Sequence, residues 1–153
     1  MTERSSVVID GGILVGHDGS AASGRAVAWA ADLAVRLGHP LHVLRAWSLT
    51  TAPKPETMEL GYVPPPEDFE KAVLAALAHD IDALDLPTEC EVELHAARGQ
   101  SSHRLLEAAH GADMLVVGAR GAGGFRGLGF GSTADQVVRN SPVPVVVVPA
   151  SRD

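Results

Sequence analysis

Two runs of this sequence, Met114-Leu115-Val116-Val117-Gly118 and Val143-Pro144-Val145-Val146-Val147-Val148, are apolar at nearly every position. A strand with one wet face alternates apolar and polar residues. A run without that alternation belongs to a strand buried on both faces. Such strands lie in parallel sheets, and helices supply the cover on either side. The rest of the chain supplies those helices. Ile13 to His17 reads as a first strand, ended by Asp18-Gly19-Ser20, and Ala21 to Leu37 as a helix with Ala26, Ala30, Leu33 and Leu37 on one face. Gly38 and Pro40 stop that helix, and Leu41 to Trp47 is the second strand. An irregular segment rich in Thr and Pro, residues 48–66, precedes a helix over Glu67 to Leu84.

Glu89 to Ala96 alternates, with Cys90, Val92, Leu94 and Ala96 against Glu89, Glu91, Glu93 and His95. It is the one strand with a wetter face, which places it at a sheet edge. Ser101 or Ser102 caps a short helix ending near Gly111, and Ser132 to Asn140 forms the last helix, with Ser132-Thr133-Ala134-Asp135 at capping-box spacing. Five strands alternating with four helices, joined by right-handed crossovers, predict an α/β fold: a doubly wound five-stranded parallel sheet of strand order 3-2-1-4-5. Its ligand site belongs beyond the carboxyl ends of the strands, at the topological switch point.

Bulk properties bound the function. A length of 153 residues suits a single domain, here residues 12–150 behind a loose tail over 1–11. With aromatics at 4%, Val, Leu, Ile and Ala must fill the core. The net charge of -7 argues against a nucleic-acid partner. Cys90 is the single cysteine, so no internal disulfide forms, and a reducing, cytoplasmic location fits. Val7 to Ile9 is too short for the apolar core of a secretion signal, and no run is long enough to cross a bilayer, so no membrane association is expected.

The chemistry concentrates in one loop, Gly118-Ala119-Arg120-Gly121-Ala122-Gly123-Gly124-Phe125-Arg126-Gly127-Leu128-Gly129-Phe130-Gly131-Ser132-Thr133. Small residues let backbone approach a ligand closely, and successive peptide N–H groups form an anion-binding concavity. The loop then enters a helix N-terminus, whose unsatisfied N–H groups favour phosphate. The hydroxyls of Ser132 and Thr133 can donate to phosphate oxygens or ligate a metal, and Arg120 and Arg126 add positive charge. The loop is neither a P-loop, since no G-x-x-x-x-G-K-[ST] occurs, nor a Rossmann fingerprint, since no G-x-G-x-x-G follows the first strand.

Gly118, Gly121 and Gly131-Ser132 have the spacing G-x2-G-x9-G-[ST], and here the chain resembles the ATP-binding branch of the universal stress protein family. Val15-Gly16-His17-Asp18-Gly19-Ser20, Ala28-Trp29-Ala30, Asp113 to Gly118 and Pro142 to Pro149 extend the likeness over residues 12–149. The resemblance implies that Gly118, Gly121, Gly131, Ser132 and Thr133 hold the phosphates of ATP, with Mg2+ carried by those phosphates and Ser132 a candidate ligand for it. It implies that Ala46 offers backbone groups to adenine and that Gly16 and Asp18 lie by the nucleoside. It also implies a homodimer through the last strand, with Val143, Val145 and Val147 at the interface; an exposed, flat, uncharged edge there would otherwise invite pairing. His17 departs from the family, where many members carry an apolar residue.

Plainer readings stand beside these. Asp18 could cap the first helix or make a turn with Ser20, and Arg120 could be solvated. His95, His103 and His110 show no metal-ligand spacing with one another. Cys90 carries no mark of a nucleophile, and no G-x-S-x-G elbow or evident base appears, so no catalytic residue is assigned. The reading reached is an ATP-dependent regulatory module. A slow ATPase or autophosphorylating enzyme, and a dimeric stress scaffold that binds no nucleotide, are the alternatives.

Overall fold

The computed structural model describes residues 1–4, 7–120 and 130–150, with the backbone alone for residues 2–4. Its elements are β1 (Thr2–Arg4), β2 (Ile13–Gly16), α1 (Ala21–Leu37), β3 (Leu41–Trp47), α2 (Pro66–Asp82), β4 (Val92–Arg98), α3 (Ser101–Ala109), β5 (Met114–Gly118), α4 (Ser132–Asn140) and β6 (Val145–Val148). The strands form one sheet in the order β1-β4-β3-β2-β5-β6, parallel throughout. The five strands after β1 stand in the expected order, third, second, first, fourth, fifth, as in a flavodoxin-like doubly wound sheet.

Alternation along the strands divides the interior into two layers. Ile13, Val15, Leu41, Val43 and Val116 point to one face and pack with Ala26, Val27, Ala30 and Ala34 of α1 and Phe69, Val73 and Leu77 of α2. Leu14, Leu44, Leu115 and Val117 point to the other and meet Leu105, Ala108 and Ala109 of α3 and Ala134 and Val137 of α4. Alanine on α1 lets that helix lie close to β2 and β5. The helix stops at Gly38, which takes the left-handed conformation at φ 67° and donates to Val35 O. Of the expected α1 face, Ala26 and Ala30 are buried, while Leu37 is half exposed.

Four expectations are corrected at the sheet edges. The tail is not loose throughout: Thr2–Arg4 pairs with β4, at Thr2↔Glu93, Glu3↔Leu94 and Arg4↔His95. The edge strand is therefore β1, and β4 has a neighbour on both sides. An open β4 would present a row of unpaired backbone groups, and an extended N-terminal segment satisfies them. The face of β4 expected to be wet is also dry at His95, which is fully buried. At the other edge β6 begins at Val145 rather than Val143. The Ser141 hydroxyl accepts from Val143 N at 3.1 Å and donates to Val143 O at 2.7 Å, which holds Val143 in a turn.

Candidate nucleotide cleft

The carboxyl ends of β2, β3 and β5 part where the chain switches direction across the sheet, between β2 and β5. A narrow cleft opens there, about 530 Å³ when the open solvent at its mouth is counted. Six of the residues singled out from sequence line it: Gly16, Asp18, Ala46, Gly118, Arg120 and Thr133. Ser132 is the first residue of α4 and Gly131 the residue before it, both beside the cleft without lining it. Gly121, like Arg126, lies outside the described residues.

Two of the three helices that start at this cleft, α3 and α4, are built alike. The residue preceding α3 is Gln100 and that preceding α4 is Gly131, and neither makes a side-chain cap hydrogen bond. The serines expected to cap these helices, Ser101 or Ser102 and Ser132, stand inside the first turn instead. The reason is local: the extended residue at each entry is one position earlier, so the hydroxyls cannot reach back over the turn. Asp135, the expected capping-box partner, pairs with Arg139 at 3.1 Å along α4. Ser101 Oγ and Thr133 Oγ1 meet at 2.8 Å and tie the two helix starts together at the cleft wall. By contrast α1 is capped, with Ser20 Oγ accepting from Ser23 N at 3.2 Å. Two helix N-termini without side-chain caps thus converge where positive dipole ends and first-turn amides favour an anion.

The glycine loop is pinned at its base. Gly131 N donates to Ala119 O at 2.7 Å, and Ala119 N to Val148 O at 2.9 Å. Two glycines of the cleft stand where a side chain would meet its neighbours closely. A methyl on Gly16 would stand 2.9 Å from Leu105 Cδ1, and one on Gly118 would stand 3.2 Å from the Ala22 carbonyl oxygen. Gly131 has φ -67°, ψ 167°, so its backbone conformation is open to any residue.

Asp18 makes the turn with Ser20 and also anchors α1. Its Oδ1 accepts from Ser20 N at 2.9 Å and from the Ser23 hydroxyl at 2.9 Å, and its own amide donates to Ser23 Oγ at 3.2 Å. His17 is buried beside it. The Arg45 guanidinium donates to His17 Nδ1 and, at 2.9 Å, to Asp80 Oδ2 of α2. A guanidinium can only donate, so Nδ1 is the unprotonated nitrogen and the proton sits on Nε2. Burial first, and the Arg45 charge second, lower the His17 pKa to about 4, against smaller opposing effects of Asp80 and Asp18. His17 is therefore neutral at pH 7. Cys90 is half-buried at the base of β4, and burial together with Asp32 raises its thiol pKa, which makes it a packing residue rather than a nucleophile.

The residues sequence reasoning passed over are Ser23, Ser101 as a cleft hydroxyl, and the pair Arg45 and Asp80. Arg45 carried a signal: it is the only permanent charge in the run Leu41 to Trp47, which is otherwise apolar apart from His42. Among the described residues no helix is long and apolar enough to cross a membrane.

The model of the universal stress protein family matches residues 12–149. The chain belongs to the universal stress protein family. Universal stress proteins of Mycolicibacterium smegmatis and Mycobacterium tuberculosis are 33% and 34% identical over 141 and 145 residues, which is 89% and 92% of this chain but 45% and 44% of theirs. The chain thus spans about half the length of these curated relatives. Among solved structures, a universal stress protein in complex with cAMP is 26% identical, with a TM-score of 0.63, over 94% of this chain and 99% of that one. The fold recurs in the UspA universal stress protein of Lactobacillus plantarum, at 23% identity and a TM-score of 0.65, over 94% of this chain and 99% of that one.

Proposed function

We propose that this universal stress protein binds an adenine nucleotide, ATP with Mg2+, in the cleft between β2 and β5, and acts as a homodimeric regulatory module of the cytoplasm. The observation that carries this reading is the meeting of two helix starts, neither capped by the side chain before it, joined by the Ser101–Thr133 hydroxyl pair. Such ends are matched to phosphate oxygens. Arg120 adds a cation at the same wall, as polyphosphate requires. The solved relative holding cAMP supports a nucleotide of this kind.

In this reading the amides of Gly118, Gly121, Ser132 and Thr133 cradle the phosphates, Gly131, whose amide is held by Ala119 O, lets the chain turn closely beneath them, and the Ala46 backbone at the end of β3 meets adenine. Gly16 and Asp18 border the nucleoside. Mg2+ rides on the phosphates, with the Ser132 hydroxyl within reach of the same helix start. The carboxylate of Asp18 gives the cleft a second oxygen donor suited to that ion.

The dimer reading rests on β6. Its only neighbour among the described residues is β5, and the carbonyls of Pro144 and Val148 point to β5, accepting from Leu115 N and Ala119 N. Backbone direction alternates along a strand, so Val145 and Val147 turn their N–H and C=O groups to the open side. Val143, Val145 and Val147 pack their side chains on the α3–α4 layer. A second copy pairing there would satisfy the outward groups.

Calorimetric titration with ATP, with and without Mg2+, tests the site. Gly131→Leu and Thr133→Ala are expected to weaken ATP binding by roughly ten-fold or more, the scale of one or two lost charge-assisted hydrogen bonds. Unchanged affinity in both variants would remove the assignment.

A further inference from the structure

A second polar cluster lies at the far end of the sheet from the cleft. Parallel register sets His42 of β3 beside Glu93 of β4, and His95 follows two residues along β4 on the same face. His42 is 4% exposed and His95 0%, so both rings are inside the protein. His42 Nδ1 stands 3.0 Å from His95 Nε2 and 3.2 Å from Glu93 Oε2, and His95 Nε2 stands 3.8 Å from Glu93 Oε2. Three potential ligand atoms therefore face one another at one point.

We propose that His42, Glu93 and His95 form a binding site for a divalent transition-metal cation of the zinc class. The size of the triangle carries the argument. A circle through three atoms at those separations has a radius of about 2.0 Å, against zinc–nitrogen and zinc–oxygen bonds of about 2.0–2.2 Å. An ion bonded to all three would sit about 0.6 Å above their plane, which is close to the offset of a tetrahedral centre from three of its ligands. The donor set points the same way. Two imidazoles and one carboxylate suit Zn2+, whereas Mg2+ and Ca2+ take oxygen ligands. The fourth position is left for water or a further protein group.

The ligands also sit on rigid supports. All three project from paired central strands, and the backbone of β1 runs alongside Glu93 and His95. Glu93, with its side chain 18% exposed, is the route by which an ion would enter. His42 and Ala46 are four residues apart on β3, about 13 Å along the strand, so this centre is separate from any Mg2+ carried by nucleotide in the cleft.

The test uses the full chain, stripped with a chelator and titrated with Zn2+, with bound metal measured after dialysis. One tightly held equivalent per chain is expected. Replacing Zn2+ by Co2+ should give the intense visible absorption of a four-coordinate centre. Glu93→Gln keeps the shape of a partly exposed side chain and both histidine ligands, and should weaken Zn2+ at least about ten-fold. Zn2+ should raise the melting temperature of the parent protein more than that of Glu93→Gln at the same metal concentration. His42→Gln should lose the Co2+ absorption; if it does not fold, the parent and Glu93→Gln decide alone. Absence of a tight equivalent in the parent, or equal Zn2+ affinity in parent and Glu93→Gln, would overturn the proposal.

Discussion

Replacing His17 by Asn should remove a specific part of the acid sensitivity of this protein. The imidazole is 6% exposed, and its Nδ1 accepts from Arg45. An Asn carbonyl can keep that acceptor without a titratable group. In the folded chain the His17 pKa is lowered from 6.5 to about 4, and in the unfolded chain it returns to the model-peptide range. Because the folded value is the lower one, the unfolded state binds the proton first as pH falls. The contribution is fully present above about pH 6.5 and is lost progressively down to about pH 4. A shift of about 2.5 units is worth about 3 kcal/mol in total, of which about 2 kcal/mol is lost between pH 7 and pH 5. Urea unfolding of both proteins at pH 7 and pH 5 measures this. The parent should lose about 2 kcal/mol more than His17→Asn over that interval. Equal losses would show that His17 is not held neutral by its burial and by Arg45, and the reading of that network would fail.

Three further outcomes follow from the same geometry. Gly16→Ala places a methyl 2.9 Å from the buried Leu105 Cδ1 and should cost about 1–3 kcal/mol in denaturant unfolding. Ser20→Ala removes the acceptor for Ser23 N at the start of α1 and should lower stability by about 1 kcal/mol in the same assay. Val147→Pro deletes an outward N–H of β6 without touching its bonds to β5, so light scattering should show monomer in place of dimer, with the helical content unchanged.

Most of the fold was legible because its signals are local. Runs such as Leu41 to Trp47 and Met114 to Gly118 coincide with β3 and β5 to the residue, and Gly38 marks the end of α1. The cleft was legible because a doubly wound sheet fixes where its strands end, which brought Gly16, Ala46 and Gly118 together. What was not legible depends on pairing between distant segments. Nothing local in Thr2–Arg4 tells that it completes the sheet beside β4, and without that strand β4 reads as an edge. His42 and His95 are 53 residues apart and meet only through the parallel register of β3 and β4. The misplaced caps have a different cause. Ser101 and Ser132 have the right chemistry, but one residue of offset in the extended entry turns a cap into a first-turn hydroxyl.

In the proposed complex, polyphosphate is held by backbone amides at the two joined helix starts. An amide-resolved nuclear magnetic resonance titration with Mg-ATP tests it most directly. The largest shifts are expected at Gly118, Ser132, Thr133 and Ser101, with Ala46 following at the adenine end. Shifts confined to the outer surface of α2, or none at saturating nucleotide, would contradict it.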